Sequence, residues 1–163
     1  MTALLEAATA EQTRAVGERL AALLRPGDLV VLSGDLGAGK TTFTQGLGAG
    51  LGVRGGVTSP TFVISRVHPP LGEGPALVHV DAYRLGGLEE LDDLDLDASL
   101  DDAVTVVEWG TGLAETLAED RLEVEIVRAH ADEEGEGRTL RVTGVGSRWD
   151  GVDLRARLDG SGA

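Results

Sequence analysis

Three short runs of consecutive apolar residues stand out along the chain. They occupy residues 28–33 (DLVVLS), 76–80 (ALVHV) and 104–107 (VTVV), and glycine, proline or acidic residues bound them. Runs of this length between turn residues are typical of buried strands. The pattern therefore predicts three buried strands, and a further strand is expected to begin at residues 62–64 (FVI).

Apolar residues at helical spacing predict one helix before the first of these strands and another directly after it. The first covers residues 9–24, where Thr9 is a candidate N-cap and Gln12 stands at the capping-box spacing three residues later. Its apolar stripe consists of Val16, Leu20, Leu23 and Leu24. The second helix follows the first strand and ends at Gly52, with a stripe of Phe43, Leu47 and Leu51.

Towards the C-terminus apolar and polar residues begin to alternate. Residues 122–127 and 139–143 alternate well enough to pair as an antiparallel hairpin across an acidic, glycine-containing loop. A chain of 163 residues suggests one domain with a substantial core. We expect that domain to cover residues 1–143 and residues 144–163 to form a C-terminal tail that is ordered in part at most. Within the tail, Val152, Leu154 and Leu158 could add a strand or a short helix.

The glycine-rich stretch after the first strand matches a phosphate-binding loop. Gly34, four further residues, then Gly39, Lys40 and Thr41 fit the pattern G-x-x-x-x-G-K-[ST]. Glycines bring backbone N–H groups close to phosphate oxygens, and the positive end of the following helix points at the same oxygens. Lys40, which is the single lysine of the chain, is expected to reach the β- and γ-phosphates, and the Thr41 hydroxyl to ligate Mg²⁺.

Two carboxylates follow predicted strands and are candidates for the same site. Asp81 and Glu108 would lie near the metal if their strands run parallel to the strand before the glycine loop. The alternatives are a turn-capping aspartate and a surface glutamate. Thr61 is either a sensor of the γ-phosphate or metal, or a residue that favours a strand. Trp109 is either an anchor of the site, in a chain with few aromatic residues, or a core residue.

Charge and composition narrow the range of functions. The net charge of −14 argues against broad binding to nucleic acid or to an anionic membrane, so a nucleic-acid role would need a partner that supplies positive surface. Without cysteine the chain has no disulfide or thiolate metal site. The N-terminus lacks the basic and apolar regions of a signal peptide, and no apolar run has transmembrane length. We expect a cytoplasmic protein.

Four segments together resemble one protein family. LSGDLGAGKTTF, TSPTF, HVDAYRL and VEWG occur in the order and at the spacing of the TsaE (YjeE) family, the bacterial P-loop ATPase of tRNA threonylcarbamoyladenosine biosynthesis. The similarity covers residues 11–143. It implies a three-layer α/β P-loop fold, with a central, mostly parallel sheet flanked by helices and a C-terminal antiparallel hairpin.

The resemblance also implies an activity and partners. Members are weak ATPases that need Mg²⁺ and bind ATP or ADP. They support TsaB and TsaD, which transfer threonylcarbamoyl to the adenosine at position 37 of tRNA. The chain is then expected to meet tRNA only through these subunits and to have no membrane role.

The resemblance also implies roles for the residues of this chain that match the motifs of the family. Lys40 is expected to bind phosphate, Thr41 and Glu108 to hold Mg²⁺, and Asp81 to support the metal or the attacking water. Thr61 resembles a switch threonine. The residues expected around the nucleotide are Asp35, Leu36, Gly37, Ala38, Gly39, Lys40, Thr41, Thr42, Gln12, Thr13 and Trp109. Spacing leaves open whether Glu108 is a metal ligand or a general base.

Three other classes share the loop. A GTPase normally carries an Asn-Lys-x-Asp segment, and this chain has no asparagine. A small-molecule kinase needs an acceptor pocket and usually an arginine-bearing lid, for which Arg54, Arg66 and Arg84 are available. A non-catalytic module that only holds ATP is the third, and the absence of hydrolysis even with partners present would favour it.

Overall fold

The computed structural model describes residues 2–34, 39–52, 65–68, 75–81, 103–108, 120–128 and 137–158. The strands in these residues are β1 Thr2–Ala7, β2 Leu29–Gly34, β3 Ser65–His68, β4 Ala76–Asp81, β5 Ala103–Glu108, β6 Arg121–Arg128 and β7 Arg138–Val145. The helices are α1 Ala10–Ala21, α2 Lys40–Leu51 and α3 Leu154–Leu158, with a 3₁₀ turn at Ser147–Trp149. None of the helices in the described part of the chain is long and apolar enough to span a bilayer.

The seven strands form one sheet in the order β1-β7-β6-β2-β5-β4-β3. The four central strands, β6, β2, β5 and β4, run parallel to one another. At one side β7 and β1 are antiparallel, and at the other side β3 is antiparallel. The predicted α/β class with a mostly parallel centre is confirmed, and so is the C-terminal hairpin, which β6 and β7 form.

The two edge strands of the sheet, β1 and β3, differ in how far the sequence predicted them. The sequence patterns did not predict β1, although its burial alternates residue by residue. Two of its three buried positions are alanines, Ala3 and Ala7, which give a weak apolar signal. The start expected for another strand, at residues 62–64, lies outside the described residues, and β3 covers Ser65–His68.

The central strands are buried on both faces of the sheet. All six residues of β5 and the first four of β2 are buried. On one face Val30 and Val106 belong to the core cluster that includes α1 and α2, while Val31 and Val107, which point to the opposite face, are also buried. A parallel sheet covered on both faces is the middle layer of a three-layer α/β domain.

Helix α1 begins where the capping pattern predicts. The Thr9 side chain accepts a hydrogen bond from the Gln12 backbone N–H at 3.2 Å. The Gln12 side-chain oxygen accepts in turn from the Ala8 N–H at 2.6 Å, so two N–H groups at the helix start are satisfied. The helix ends at Ala21 rather than at residue 24, because Leu23 and Leu24 continue it only with bonds to carbonyls three residues earlier.

Helices α1 and α2 touch backbone to backbone, and glycines make this contact possible. A Cβ atom at Gly46 of α2 would collide with the Arg14 carbonyl oxygen of α1. A Cβ at Gly17 of α1 would collide with the Phe43 carbonyl oxygen of α2. The two helices therefore have one close packing distance, which fixes α2 relative to α1.

We predict that Gly46→Ala lowers the free energy of unfolding by about 2 kcal/mol or more, because the new methyl group meets backbone that cannot move aside. Helix propensity alone would make the alanine variant more stable by about 1 kcal/mol, so the expected loss of stability is opposite to the effect of propensity. Urea unfolding followed by circular dichroism measures the change. Glu18→Ala, at an exposed position of α1, is the control and should shift stability by no more than about 0.5 kcal/mol. A stabilised Gly46→Ala protein would contradict the close contact.

The C-terminal residues 144–158 pack on this core. Trp149, Leu154 and Leu158 are each at most 4% exposed. Leu154 and Leu158 lie in α3, so the short helix considered for this region is present. The division of the chain at residue 143 stays a prediction.

Arg148 joins this region to the segment between α1 and β2. Its Nε donates to Asp28 Oδ1 at 3.2 Å, and a terminal nitrogen donates to Asp28 Oδ2 at 3.1 Å. The same nitrogen also donates to the Leu23 carbonyl oxygen at 2.8 Å. The guanidinium lies 4.1 Å from the centre of the Trp149 ring, within the range of a cation–π contact. One side chain therefore holds both segments together.

We predict that Arg148→Ala lowers the free energy of unfolding by about 2–3 kcal/mol, because it leaves the buried Asp28 carboxylate without its bidentate partner. Arg157→Ala removes the same charge from an exposed position of α3 and should change stability by about 0.5 kcal/mol or less. Thermal and urea unfolding of the two variants provide the comparison. Equal losses of stability in the two variants would show that the overall charge, and not the contact between Arg148 and Asp28, stabilises the protein.

Candidate functional site

Strand β2 and helix α2 bracket the glycine loop in the predicted order. β2 ends at Gly34 and α2 begins at Lys40, with Gly39 as its N-cap residue. Gly39 has a φ of 104°, a conformation that side chains other than glycine rarely adopt. Its carbonyl oxygen accepts the Phe43 N–H at 2.9 Å, which is the first bond of the helix. The helix N-terminus, with its positive dipole end, therefore opens directly at the loop.

Lys40 spans the loop from one end to the other. Its Nζ donates to the Gly34 carbonyl oxygen at 3.0 Å, and the residue is 7% exposed. The ammonium group therefore lies beside the last residue of β2, at the mouth of the loop. A buried cation at a helix N-terminus is an arrangement that favours anions.

The three threonines of the first turns of α2 differ in their surroundings. Thr44 is buried, and its hydroxyl donates to the Lys40 carbonyl oxygen at 2.8 Å. Thr41 and Thr42 are half-buried, so solvent reaches part of each residue. Of the three, Thr41 and Thr42 are therefore the ones available to a ligand.

The register of the parallel strands brings Glu108 and Asp81 together. Glu108, the last residue of β5, pairs with Leu32 of β2 on one side and with the backbone position of Asp81 on the other. Gly34 is two residues beyond Leu32 along β2. The carboxyl ends of three adjacent strands thus meet at one edge of the sheet, as a ligand site of an open α/β sheet requires.

Glu108 is not a surface carboxylate. It is 5% exposed, and its Oε1 lies 3.1 Å from Nε2 of His79, which is fully buried in β4. The surface alternative for Glu108 is therefore wrong. The sequence analysis missed His79, although a histidine inside the apolar run of residues 76–80, two positions before Asp81, was a visible signal.

Helix α1 contributes Thr13 to the loop, whereas Gln12 has another contact. Thr13 is 1% exposed, and its methyl carbon lies 3.9 Å from the position that a Cβ of Gly39 would occupy. Its hydroxyl donates to the Thr9 carbonyl at 3.4 Å. The Gln12 side-chain oxygen caps α1 at Ala8, and the residue is exposed.

Arg138, the first residue of β7, also lies beside the loop. Its Nε is 3.6 Å from the position of a Cβ on Gly39, and one of its terminal nitrogens donates to the Gly137 carbonyl at 2.8 Å. The sequence analysis missed this residue because it is about 100 positions away along the chain and no local pattern marks it. Only the pairing of β7 with β6, which lies beside β2, brings it to this end of the sheet.

Several predicted site residues lie outside the described part of the chain. They are Asp35, Leu36, Gly37, Ala38, Thr61 and Trp109. Their roles stay predictions. For Asp81 the structure describes the backbone position in β4.

The donors at this edge suit a magnesium ion that also has phosphate ligands. Among the described residues, no group of three or more histidine, cysteine, aspartate or glutamate side chains could hold a metal ion. The described candidates are hard oxygen atoms, the Thr41 hydroxyl and the Glu108 carboxylate, and the part of the Asp81 carboxylate stays a prediction. Mg²⁺ in nucleotide sites is bound through one or two carboxylates together with phosphate oxygens, so the donor set fits.

Comparisons with known proteins all identify the same family. The family model described as "Threonylcarbamoyl adenosine biosynthesis protein TsaE" matches residues 7–139. A protein of Streptomyces coelicolor named tRNA threonylcarbamoyladenosine biosynthesis protein TsaE is 67% identical over 142 residues, which is 86% of this chain and 96% of that protein. A protein of the same name from Bacillus subtilis is 43% identical over 86% of this chain and 84% of that protein.

A solved structure supports the same relationship. The structure titled as the crystal structure of Bacillus subtilis YdiB superposes with a TM-score of 0.70 at 34% sequence identity. The superposition covers 97% of this chain and 94% of that one. The fold is therefore shared along nearly the full length of both chains.

We predict that the loop binds inorganic tripolyphosphate and that Lys40→Met weakens this binding about 10- to 100-fold, because a charge-assisted bond to phosphate contributes about 1.5–3 kcal/mol. Methionine keeps the apolar stem and removes the ammonium group. Isothermal titration calorimetry without divalent metal gives the two dissociation constants. Arg157→Gln removes one positive charge from an exposed position and is the matched control. If both variants bind equally, the binding reflects overall charge and not the loop.

Proposed function

The chain belongs to the TsaE family of threonylcarbamoyl adenosine biosynthesis proteins, and from this premise we propose that it is a Mg²⁺-dependent ATPase. Its role lies in tRNA threonylcarbamoyladenosine biosynthesis. The reaction we propose is the hydrolysis of ATP to ADP and phosphate, in support of the TsaB–TsaD threonylcarbamoyl transferase that modifies adenosine 37 of tRNA.

One observation carries the proposal. The strand register places Glu108 next to the strand that leads into the glycine loop, and Lys40 stands at the start of the helix that leaves it. A buried cation at the start of α2 and a buried carboxylate at the end of the strand beside β2 therefore lie towards the same edge of the sheet. A phosphate chain with a divalent cation needs this combination of charges.

Each group has a distinct task in binding. Lys40 Nζ bonds the Gly34 carbonyl and would exchange that acceptor for oxygens of the β- and γ-phosphates. The N–H groups at the start of α2 would hold the same phosphates. Thr42 would add a hydroxyl near the α-phosphate. Thr13, which is packed against Gly39, would limit the space at the adenine side of the loop.

Thr41 and Glu108 are the residues we propose as holders of Mg²⁺, with Asp81 supporting either the metal or the attacking water. When bound, the ion would neutralise charge that develops on the phosphates. The buried position of Glu108 would strengthen its interaction with a cation, because solvent screens the carboxylate poorly there. Thr61 and Trp109 remain the proposed switch residue and nucleotide neighbour.

The partners are those that family membership implies, and the charge of the chain bears only on which of them contacts tRNA. With a net charge of −14 the chain is poorly suited to bind tRNA by itself. We therefore assign contact with tRNA to TsaB and TsaD and the nucleotide to this protein.

We predict that TsaB, TsaD and tRNA stimulate phosphate release from ATP by this protein. Lys40→Met removes the cation proposed to bind the phosphates, and Glu108→Gln removes the carboxylate charge proposed to hold Mg²⁺, so each should lower kcat/KM by about 100-fold or more. A coupled phosphate-release assay measures both effects, and Arg157→Gln is the control that should keep wild-type rates.

Two outcomes would overturn this function. Transfer of phosphate to an added small metabolite would identify a kinase. Tight binding of ATP without hydrolysis, even with all partners present, would identify a binding module.

A further inference from the structure

His79 occupies an unusual place for an imidazole ring. It lies in the interior of β4 with no exposed surface. Leu77, two residues earlier on the same face of the strand, and Val106, its register partner in β5, are both apolar. An apolar side chain would fill this position without the cost of burying ring nitrogens. The polar ring therefore needs an explanation other than packing.

The hydrogen bond to Glu108 supplies that explanation. His79 Nε2 lies 3.1 Å from Glu108 Oε1, and an ionised carboxylate can only accept. We assign the hydrogen of this bond to Nε2. The other ring nitrogen, Nδ1, is buried and has no hydrogen-bond partner within the described residues. Within that part of the chain, the bond to Glu108 is thus the single polar interaction of the ring.

We infer that His79 is a positioning residue, which holds the Glu108 carboxylate in the orientation that Mg²⁺ bound with nucleotide requires. The inference rests on the proposed function. The terminal torsion of a glutamate is broad, so a carboxylate without a partner samples many orientations. A buried donor on Oε1 narrows this range.

Hydrogen-bonded partners of this kind are important in other metal sites. Removing a residue that orients a metal ligand typically weakens metal affinity 10- to 100-fold. His79 therefore acts on the metal through Glu108, which distinguishes it from the ligands themselves.

Two substitutions separate the two ring nitrogens. In His79→Gln the side-chain amide nitrogen can take the place of Nε2 and keep a donor on Glu108. In His79→Asn the shorter amide reaches only to the place of Nδ1. The measured quantity is the Mg²⁺ concentration that gives half-maximal binding of a fluorescent ATP analogue. We expect His79→Asn to raise it about 10- to 100-fold and His79→Gln to stay within about threefold of wild type.

A second background tests whether the effect passes through Glu108. In Glu108→Gln protein, the His79→Asn change should leave the Mg²⁺ requirement unchanged, because the carboxylate it positions is gone. Equal Mg²⁺ requirements in His79→Asn and His79→Gln, or a full effect of His79→Asn in the Glu108→Gln background, would overturn the inference. If the wild-type protein binds the analogue without any Mg²⁺ dependence, the proposed function fails instead.

A measurement on the native protein does not depend on the folding of any His79 variant. Nitrogen-15 NMR of histidine-labelled protein reports which ring nitrogen carries the hydrogen. The chain has three histidines, so His68→Gln and His130→Gln identify the signals of the other two. We expect a protonated Nε2 in His79. A ring protonated on Nδ1 alone could not donate to Glu108 and would overturn the inference.

Discussion

The parallel register of β2, β5 and β4 is the constraint on which the candidate site depends. Parallel strands end at the same edge of a sheet, and here that edge carries Gly34, Glu108 and the backbone of Asp81. A slip of one residue in β5 would send Glu108 to the opposite face and replace it by Val107. The apolar residues on both faces of β2 and β5 oppose such a slip, since they fill a core on either side. Hydrophobic packing therefore determines the position of a charged group.

The second constraint is the contact between α1 and α2. Because Gly17 and Gly46 let the backbones meet, α2 has little freedom to slide or tilt against α1. The same contact brings Thr13 of α1 against Gly39, at the point where α2 begins. The packing of α2 against α1 thus fixes the position of the N-terminus of α2, where we expect a ligand to bind. The buried Phe43 and Leu47 contribute to stability, and they also orient the helix dipole towards the loop.

Much of this arrangement was predictable from local patterns. Apolar runs predicted β2, β4 and β5, the capping pair Thr9 and Gln12 predicted the start of α1, and the glycine loop predicted the order of strand, loop and helix. The contributions of Arg138 and of β1 were not predictable in this way. Arg138 reaches the loop only through pairing between strands distant in sequence, and β1 lacks large apolar residues at most of its buried positions. Local sequence encodes elements, whereas contacts between distant elements depend on the whole sheet.

Lys40 carries the positive charge at the loop and also joins the two ends of the loop by a hydrogen bond. In the described state its ammonium group is bonded to the Gly34 carbonyl, so the loop's two ends are joined by a bond that a phosphate would compete with. Exchanging a neutral carbonyl for a charged phosphate oxygen strengthens the hydrogen bond, because both partners are then ionised. The same exchange frees the Gly34 carbonyl. Phosphate binding at Lys40 would therefore break the bond that joins the two ends of the loop, while Glu108 lies at the end of the neighbouring strand β5.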